Sequence, residues 1–260
     1  MKQSWKRIGV ILLIVIMGLN LYGCFTPKRT ASQIEAALEA KYGEEFRVIN
    51  MGGRNGGNMD VITAHCCPVV NEDIVFQARL DSSGNLVSDG YVQSFAINEV
   101  EEYIKGVFEK HGLTVQINFM CSGAEMSEIS KLDPSDEYFL ETAVGYDVRW
   151  GGIIAVQDIG NLDDMAEYLY EVMEEIWKQY PQIQEWNRVF IISVEDYDTC
   201  VEEMRKYDFV HTSLFRDYEI QGSVAMSINK VEEGDVIEGI SKTEEEILQE
   251  LQEEYDEYFR

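Results

Sequence analysis

Basic residues are few in this chain: 21 Lys and Arg stand against 48 Asp and Glu in 260 residues, a net charge of −27. Nucleic acid is thereby excluded as an ordinary partner, because phosphate binding needs a basic face that releases counterions. Proline is scarcer, with four residues, while 45% of the chain is apolar and 11% aromatic, a composition that excludes a disordered acidic tail. Only three histidines occur. No two of them share a helix face and no cysteine pair recurs at ligand spacing, so the common zinc signatures are missing. The glycine stretch Gly52, Gly53, Gly56 and Gly57 lacks the lysine and hydroxyl residue of a phosphate loop and the spacing of a dinucleotide fingerprint. No serine has glycines two before and two after it, the pattern of a hydrolase elbow. The uncharged, mostly apolar run at residues 8–22 falls short of the roughly 20 residues that span a bilayer.

That run follows a basic head, Lys2, Lys6 and Arg7, and precedes a small residue and a cysteine. This is the three-part layout of a secretory signal. Leu21, Tyr22, Gly23 and Cys24 resemble the lipobox of bacterial lipoproteins, with a hydrophobic residue three before the cysteine and a small one directly before it. Tyr22 is a bulkier occupant than usual of a tolerant position. The resemblance covers residues 1–24. It implies a diacylglycerol on the Cys24 thiol, cleavage after Gly23, and a freed amine open to acylation. Two acyl chains on one residue anchor stably, at about 0.8 kcal/mol per buried methylene, and Lys28 and Arg29 either gain about 1 kcal/mol each against anionic headgroups or merely flank the tether with Pro27. Removing the three bases of the leader leaves 18 bases against 48 acids, a net charge of −30 that pushes the folded body away from an anionic surface.

The rest reads as α+β, helices packed on a mainly antiparallel sheet, in two lobes. Residues 1–23 are the signal peptide, 24–30 a lipidated tether, 31–121 a first lobe, 122–137 an acidic connection, and 138–260 a second lobe with a C-terminal helix. In the first lobe, residues 31–42 form a helix stopped by Gly43, with Ile34, Ala37, Leu38 and Tyr42 on one face. Strands follow at residues 46–51, 59–67, 74–80 and 86–93, with Pro68 ending the second and a hairpin loop at 81–85. Asn98 caps a helix that runs to Gly112, ahead of a strand at 113–121. In the second lobe, strand material at 142–150 and 152–157 is broken by Gly151 and Gly152. Asn161 caps the clearest helix, whose stripe includes Leu162, Met165, Leu169, Val172, Met173, Ile176, Trp177 and Tyr180 before Pro181 closes it. A strand at 188–194, a helix at 197–206, a strand at 223–229 and a helix at 243–259, capped by Thr243 with Glu246, complete the order. Glu102, Tyr103 and Ile104 are echoed by Glu167, Tyr168 and Leu169, but amphipathic helices look alike and the echo does not establish a duplication.

With Cys24 lipidated, Cys66, Cys67, Cys121 and Cys200 remain in a compartment where disulfides persist, and both buried free thiols and three possible pairings stay open. Adjacent Cys66 and Cys67 point to opposite faces of their strand. His65 and Cys67 share a face and, with Cys121 or His111, offer a soft-metal site or a thiol nucleophile with its base. Paired acids carry little information where acids are about one residue in five. Asp81, Ser83 and Asn85 resemble the opening of a calcium loop, but Leu86 stands where such a loop needs glycine and Val92 where it needs a bidentate acid. The segment therefore reads as a turn. Asp133, Ser135 and Glu137, and Asp158 with Asp163 and Asp164, read as solvated acidic faces. Trp150, Trp177 and Trp186 either line a pocket or fill the core, and they are assigned to the core. No catalytic, cofactor-binding or metal-ligating residue is assigned, and the one site residue is Cys24, as the lipidation site.

The reading that fits is a membrane-anchored extracytoplasmic lipoprotein acting as a non-catalytic binding or interaction module. Its partners are the membrane, through diacylglycerol on Cys24, and a protein or small ligand of basic character. The alternatives are a solute-binding lipoprotein of a transporter, disfavoured by the antiparallel first half, and a thiol-dependent or other hydrolase using Cys66, Cys67 or Cys121 with His65 or His111.

Overall fold

Aromatic packing organises the first part of the chain. The computed structural model describes residues 26–52, 61–81, 83–206, 210–232 and 235–253. Helix α1 (Thr26–Tyr42) ends where the N–H of Gly43, at φ 77°, donates to the Glu39 carbonyl over 2.8 Å, the left-handed stop that glycine adopts without strain. Strands β1 (Phe46–Gly52), β2 (Ile62–Pro68), β3 (Phe76–Leu80) and β4 (Leu86–Asp89) follow as an antiparallel meander in that order. β3 shows the period of two plainly, with Phe76, Ala78 and Leu80 buried and Gln77 and Arg79 exposed. Helix α1 packs against β1, β3 and β4 and buries Ile34 and Leu38 fully. Tyr42, Phe46, Phe76 and Tyr91 interlock with ring centroids 4.7–5.8 Å apart. Each such contact is worth about 1 kcal/mol beyond the area it buries. Asp89 ties the group to the sheet, accepting from Tyr42 Oη at 2.6 Å and Lys41 Nζ at 2.8 Å. The loop at 81–85 is a hairpin turn in which the Asp81 carboxylate accepts from the N–H groups of Ser83 and Asn85 and from Asn85 Nδ2, at 2.8–3.0 Å.

Several boundaries differ from the sequence pattern. Residues 91–93 are not strand: helix α2 (Tyr91–Lys110) starts there, and Asn98 lies within it rather than at its cap. The start is fixed by Asp89, whose Oδ1 accepts the Tyr91 N–H at 3.3 Å, and by the burial of Tyr91, Val92 and Ala96. The chain divides into two compact units between Ser94 and Phe95, not at residues 122–137. Strand β5 (Val115–Gly123) pairs along its whole length with β6 (Val148–Gln157), which puts both ends of the expected connection in one sheet.

The second unit is a five-stranded sheet in the order β5, β6, β7 (Gln184–Ile192), β8 (Ile220–Glu232) and β9 (Asp235–Ile240). Only β6 and β7 are parallel, as they must be when one long helix, α5 (Leu162–Gln179), crosses between them. Two short helices, α3 (Met126–Ile129) and α4 (Phe139–Val144), occupy the connection between β5 and β6. The strand expected at 142–150 is therefore helix over its first three residues and strand only over its last three. A short apolar run such as Ala143 and Val144 does not reveal its own period, and burial of Phe139, Ala143 and Val144 on one side decides it. Helix α6 (Val194–Met204) and a 3₁₀ turn (Thr212–Asp217) cover one face of the sheet, packing Tyr197, Cys200, Val201, Met204 and Phe215 on Ile153, Ala155, Phe190 and Ile192. Helix α7 (Glu244–Gln252) packs against β8 and α5. The protein is thus α+β, with helices on two mainly antiparallel sheets.

Strand β9 lay outside the sequence expectation. It pairs with β8 beyond a bulge centred on Asn229, a buried residue at φ 50°. The Asn229 amide donates to the carbonyls of Pro181 (2.6 Å) and Ile183 (2.8 Å), and its oxygen accepts the Gly239 N–H at 2.8 Å. Strand β6 is continuous through Gly151 and Gly152 rather than broken by them, because neighbouring backbones close in on both. A Cβ on Gly151 would lie 1.8 Å from the Trp186 carbonyl oxygen, and one on Gly152 would lie 2.2 Å from that of Asn118. Gly151→Ala is therefore expected to cost about 3 kcal/mol, read as a lowered midpoint of urea unfolding. An unchanged midpoint would contradict this packing.

Candidate functional site

A cleft of about 290 Å³ opens in the second unit between α5, the end of β9 and the start of α7. On the α5 wall stand Tyr170, Glu174 and Trp177, which share a face at i, i+4 and i+7. The helix is set by Asn161, whose side chain accepts the Asp163 N–H at 3.1 Å. The opposite wall is Gly239, Ile240, Ser241, Lys242 and Thr243, with Glu246 one turn into α7. Internal bonds shape this wall. Thr243 Oγ1 accepts the Glu246 N–H (3.3 Å) and Glu246 Oε2 accepts the Thr243 N–H (2.8 Å), a capping box. Those bonds hold the Glu246 carboxyl below its usual pKa, so it is ionised at neutral pH. Ser241 Oγ accepts the Ser227 N–H at 2.9 Å. Lys242 Nζ bonds to Glu250 Oε2, while Glu250 Oε1 accepts the Ala225 N–H at 3.0 Å and faces Arg188 Nη1 at 3.5 Å. Two aromatic rings and two carboxylates thus meet in one concave site.

The residues singled out from sequence are not brought together. Cys24, the leader and Gly53, Gly56 and Gly57 lie outside the described residues, as do Tyr255 and Tyr258 of the expected final helix. Cys66, Cys67, Cys121 and Cys200 are free. Burial pushes the thiols of Cys66, Cys121 and Cys200 up to about 12, and it raises Cys67 as well, against the pull of neighbouring Arg47. His65 Nε2 accepts from Gln77 Nε2 at 3.3 Å, in the first unit. His111 belongs to the second, where its Nδ1 lies 3.1 Å from Glu171 and its Nε2 3.4 Å from Glu175, tying the end of α2 to α5. Among the described residues no group of three His, Cys, Asp or Glu is placed to hold a metal ion. Asp133 accepts from the N–H and Oγ of Ser135, a local turn. Of the three tryptophans assigned to the core, only Trp150 is fully enclosed, for Trp186 is 39% exposed and Trp177 lines the cleft.

No family model matches the chain, and no curated protein matches it. Among solved structures it is similar to a crystal structure of a DUF5037 family protein from Ruminococcus gnavus ATCC 29149, with 15% identity and a TM-score of 0.57, over 86% of this chain and 99% of that one. At such identity the likeness is one of fold.

Sequence reasoning missed a polar group inside the second sheet. Glu185 and Asn187 stand two apart on β7, each 2% exposed, and Asn187 Nδ2 donates to Glu185 Oε1. Trp150 is the register partner of Glu185 on β6. Among the described residues Trp150 Nε1, Glu185 Oε2 and Asn187 Oδ1 find no hydrogen-bond partner. Burial pushes the Glu185 carboxyl up to about 7, and burial does the same to Glu101, which accepts the Phe119 N–H at 2.6 Å.

Folding therefore takes up protons between the ordinary carboxyl range and pH 7. Because the native state binds more protons than the unfolded chain in that window, stability falls as pH rises through it and levels off above. For Glu185 the cost is about 3 kcal/mol. Glu185→Gln, neutral at every pH, is expected to remove much of the difference between urea unfolding at pH 5 and at pH 7.5; an unaltered difference would show that Glu185 ionises freely. The thiols give a second expectation. Iodoacetamide at pH 7.5 should label Cys66, Cys67, Cys121 and Cys200 slowly in native protein and fully in urea, as mass gain reports, and rapid native labelling of any of them would contradict its raised pKa.

Proposed function

We propose that the protein is a lipoprotein held by diacylglycerol on Cys24 at the extracytoplasmic face of the cell membrane, where it acts as a non-catalytic binding or interaction module for a basic protein or small ligand. The observation that carries the anchor is Leu21, Tyr22, Gly23 and Cys24 behind a basic head and an uncharged run. The chain passes from Cys24 into the first unit, where residues 24–94 hold six bases against nine acids. Residues 95–260 hold 12 bases against 39 acids, a net charge of −27. The acid surplus thus belongs to the part of the chain furthest in sequence from the lipid, and its field favours encounter with a basic partner.

Binding rather than catalysis is supported by how the polar groups of the cleft are engaged. A nucleophile needs a neighbouring base able to take its proton. Here Ser241 and Thr243 accept backbone N–H groups, Glu246 completes the cap, and Lys242 is bonded to Glu250. The thiols of Cys66 and Cys200, which are buried, and of Cys121, which is half-buried, have raised pKa values and lack thiolate character. Mass spectrometry of the protein made in a bacterial host with its own leader is expected to find Cys24 as the N-terminal residue bearing diacylglycerol, and Cys24→Ser is expected to leave the leader uncut. A mature N-terminus without acyl groups would overturn the anchor.

A further inference from the structure

We infer that the cleft between α5 and α7 takes a lysine or arginine side chain from a cationic peptide segment, an assignment that rests on the reading of the protein as a binding module and names the partner's chemistry. Tyr170 and Trp177 line the cleft two turns apart on α5, and aromatic rings attract a cation while packing its aliphatic stem. Glu174 and Glu246 supply carboxylates from opposite walls. The charge around the opening has one sign. Helices α5 and α7 together carry ten acids and a single base, Lys178, which pairs with Glu174 across one helical turn at 2.8 Å. Lys242, the one base in the lining, is matched by Glu250. A phosphate or carboxylate ligand would have to enter against this field, whereas a basic segment is drawn along it. Size points the same way. At about 290 Å³ the cleft lies just below the usual range of small-molecule pockets, room for one long side chain whose backbone stays outside.

The test is isothermal titration of the full chain, in a neutral detergent, with acetylated and amidated hexalysine and hexaarginine, and with chitohexaose as a neutral ligand that also stacks on aromatic rings. Both peptides are expected to bind, about tenfold more weakly at 300 mM than at 50 mM NaCl. Glu174→Gln and Trp177→Leu are each expected to weaken peptide binding about fivefold to tenfold, the second keeping apolar bulk while removing the larger ring. Glu128→Gln, on α3 and paired with Lys131, removes an acid that does not line the cleft and is expected to change binding less than twofold. The inference is overturned if neither peptide binds, if Glu128→Gln weakens binding as much as Glu174→Gln does, or if both cleft variants bind like the parent. Binding of chitohexaose alone, lost in Trp177→Leu, would also overturn the cationic assignment while leaving the binding-module reading in place. Peptide binding that behaves as expected in a protein without acyl groups on Cys24 would support the cleft assignment and remove the anchor.

Discussion

Self-repulsion among acids is the constraint that the second unit must satisfy before anything else. With 39 acids against 12 bases in residues 95–260, an ionised carboxylate inside needs local compensation, because burying an unpaired charge costs several kcal/mol. The three acids drawn in meet this demand differently. Glu250 sits between Arg188, Lys242 and the Ala225 N–H. Glu101 accepts a backbone N–H from β5 and Glu185 accepts from Asn187, and both have carboxyls raised to about 7. Other acids sit on helix surfaces, as with Glu171 and Glu175, which receive Lys110 and His111. Glu250 is matched by opposite charge, whereas Glu101 and Glu185 hold their protons to a higher pH than an exposed carboxyl does.

The first unit is built on other terms. Its centre is four interlocking aromatic rings with Ile34, Leu38 and the alternate residues of the meander, and Asp89 serves as anchor for Tyr42 and Lys41. Packing there decides structure with little help from charge.

How much of this was legible in the sequence follows from what kind of force fixes each element. Helix α5 was plain because its period, its Asn161 cap and Pro181 all agree, and the Thr243 and Glu246 pair marked the start of α7 for the same reason. The class was legible because strands with short antiparallel links leave few alternatives. Elements fixed by tertiary contact were not. Tyr91 begins α2 through a carboxylate on β4, β9 follows from the Asn229 bulge, and β6 passes through two glycines because two backbones crowd it. The same holds for the cleft. Tyr170, Glu174 and Trp177 share a helix face that could be read in advance, but the facing wall comes from a loop more than sixty residues later whose position depends on β9. Glu185 and Asn187 escaped notice because polar residues ahead of an apolar run resemble a loop, and only the pairing of β7 with β6 shows them enclosed. Trp177 and Trp186 were misassigned by the rule that large rings go inside, which says nothing of partial exposure at a rim.

Helix α7 has a consequence for how the molecule keeps to itself. Strand β9 pairs with β8 only from Ile228 onward, so among the described residues the earlier stretch of β8 has no strand on its other side. Glu250 accepts the Ala225 N–H there, a side chain occupying the position a neighbouring strand would take. An open edge of this kind is a template for strand addition by another molecule. Helix α7 thus stands guard over this stretch of β8, and its loss would leave the strand open to joining another copy edge to edge.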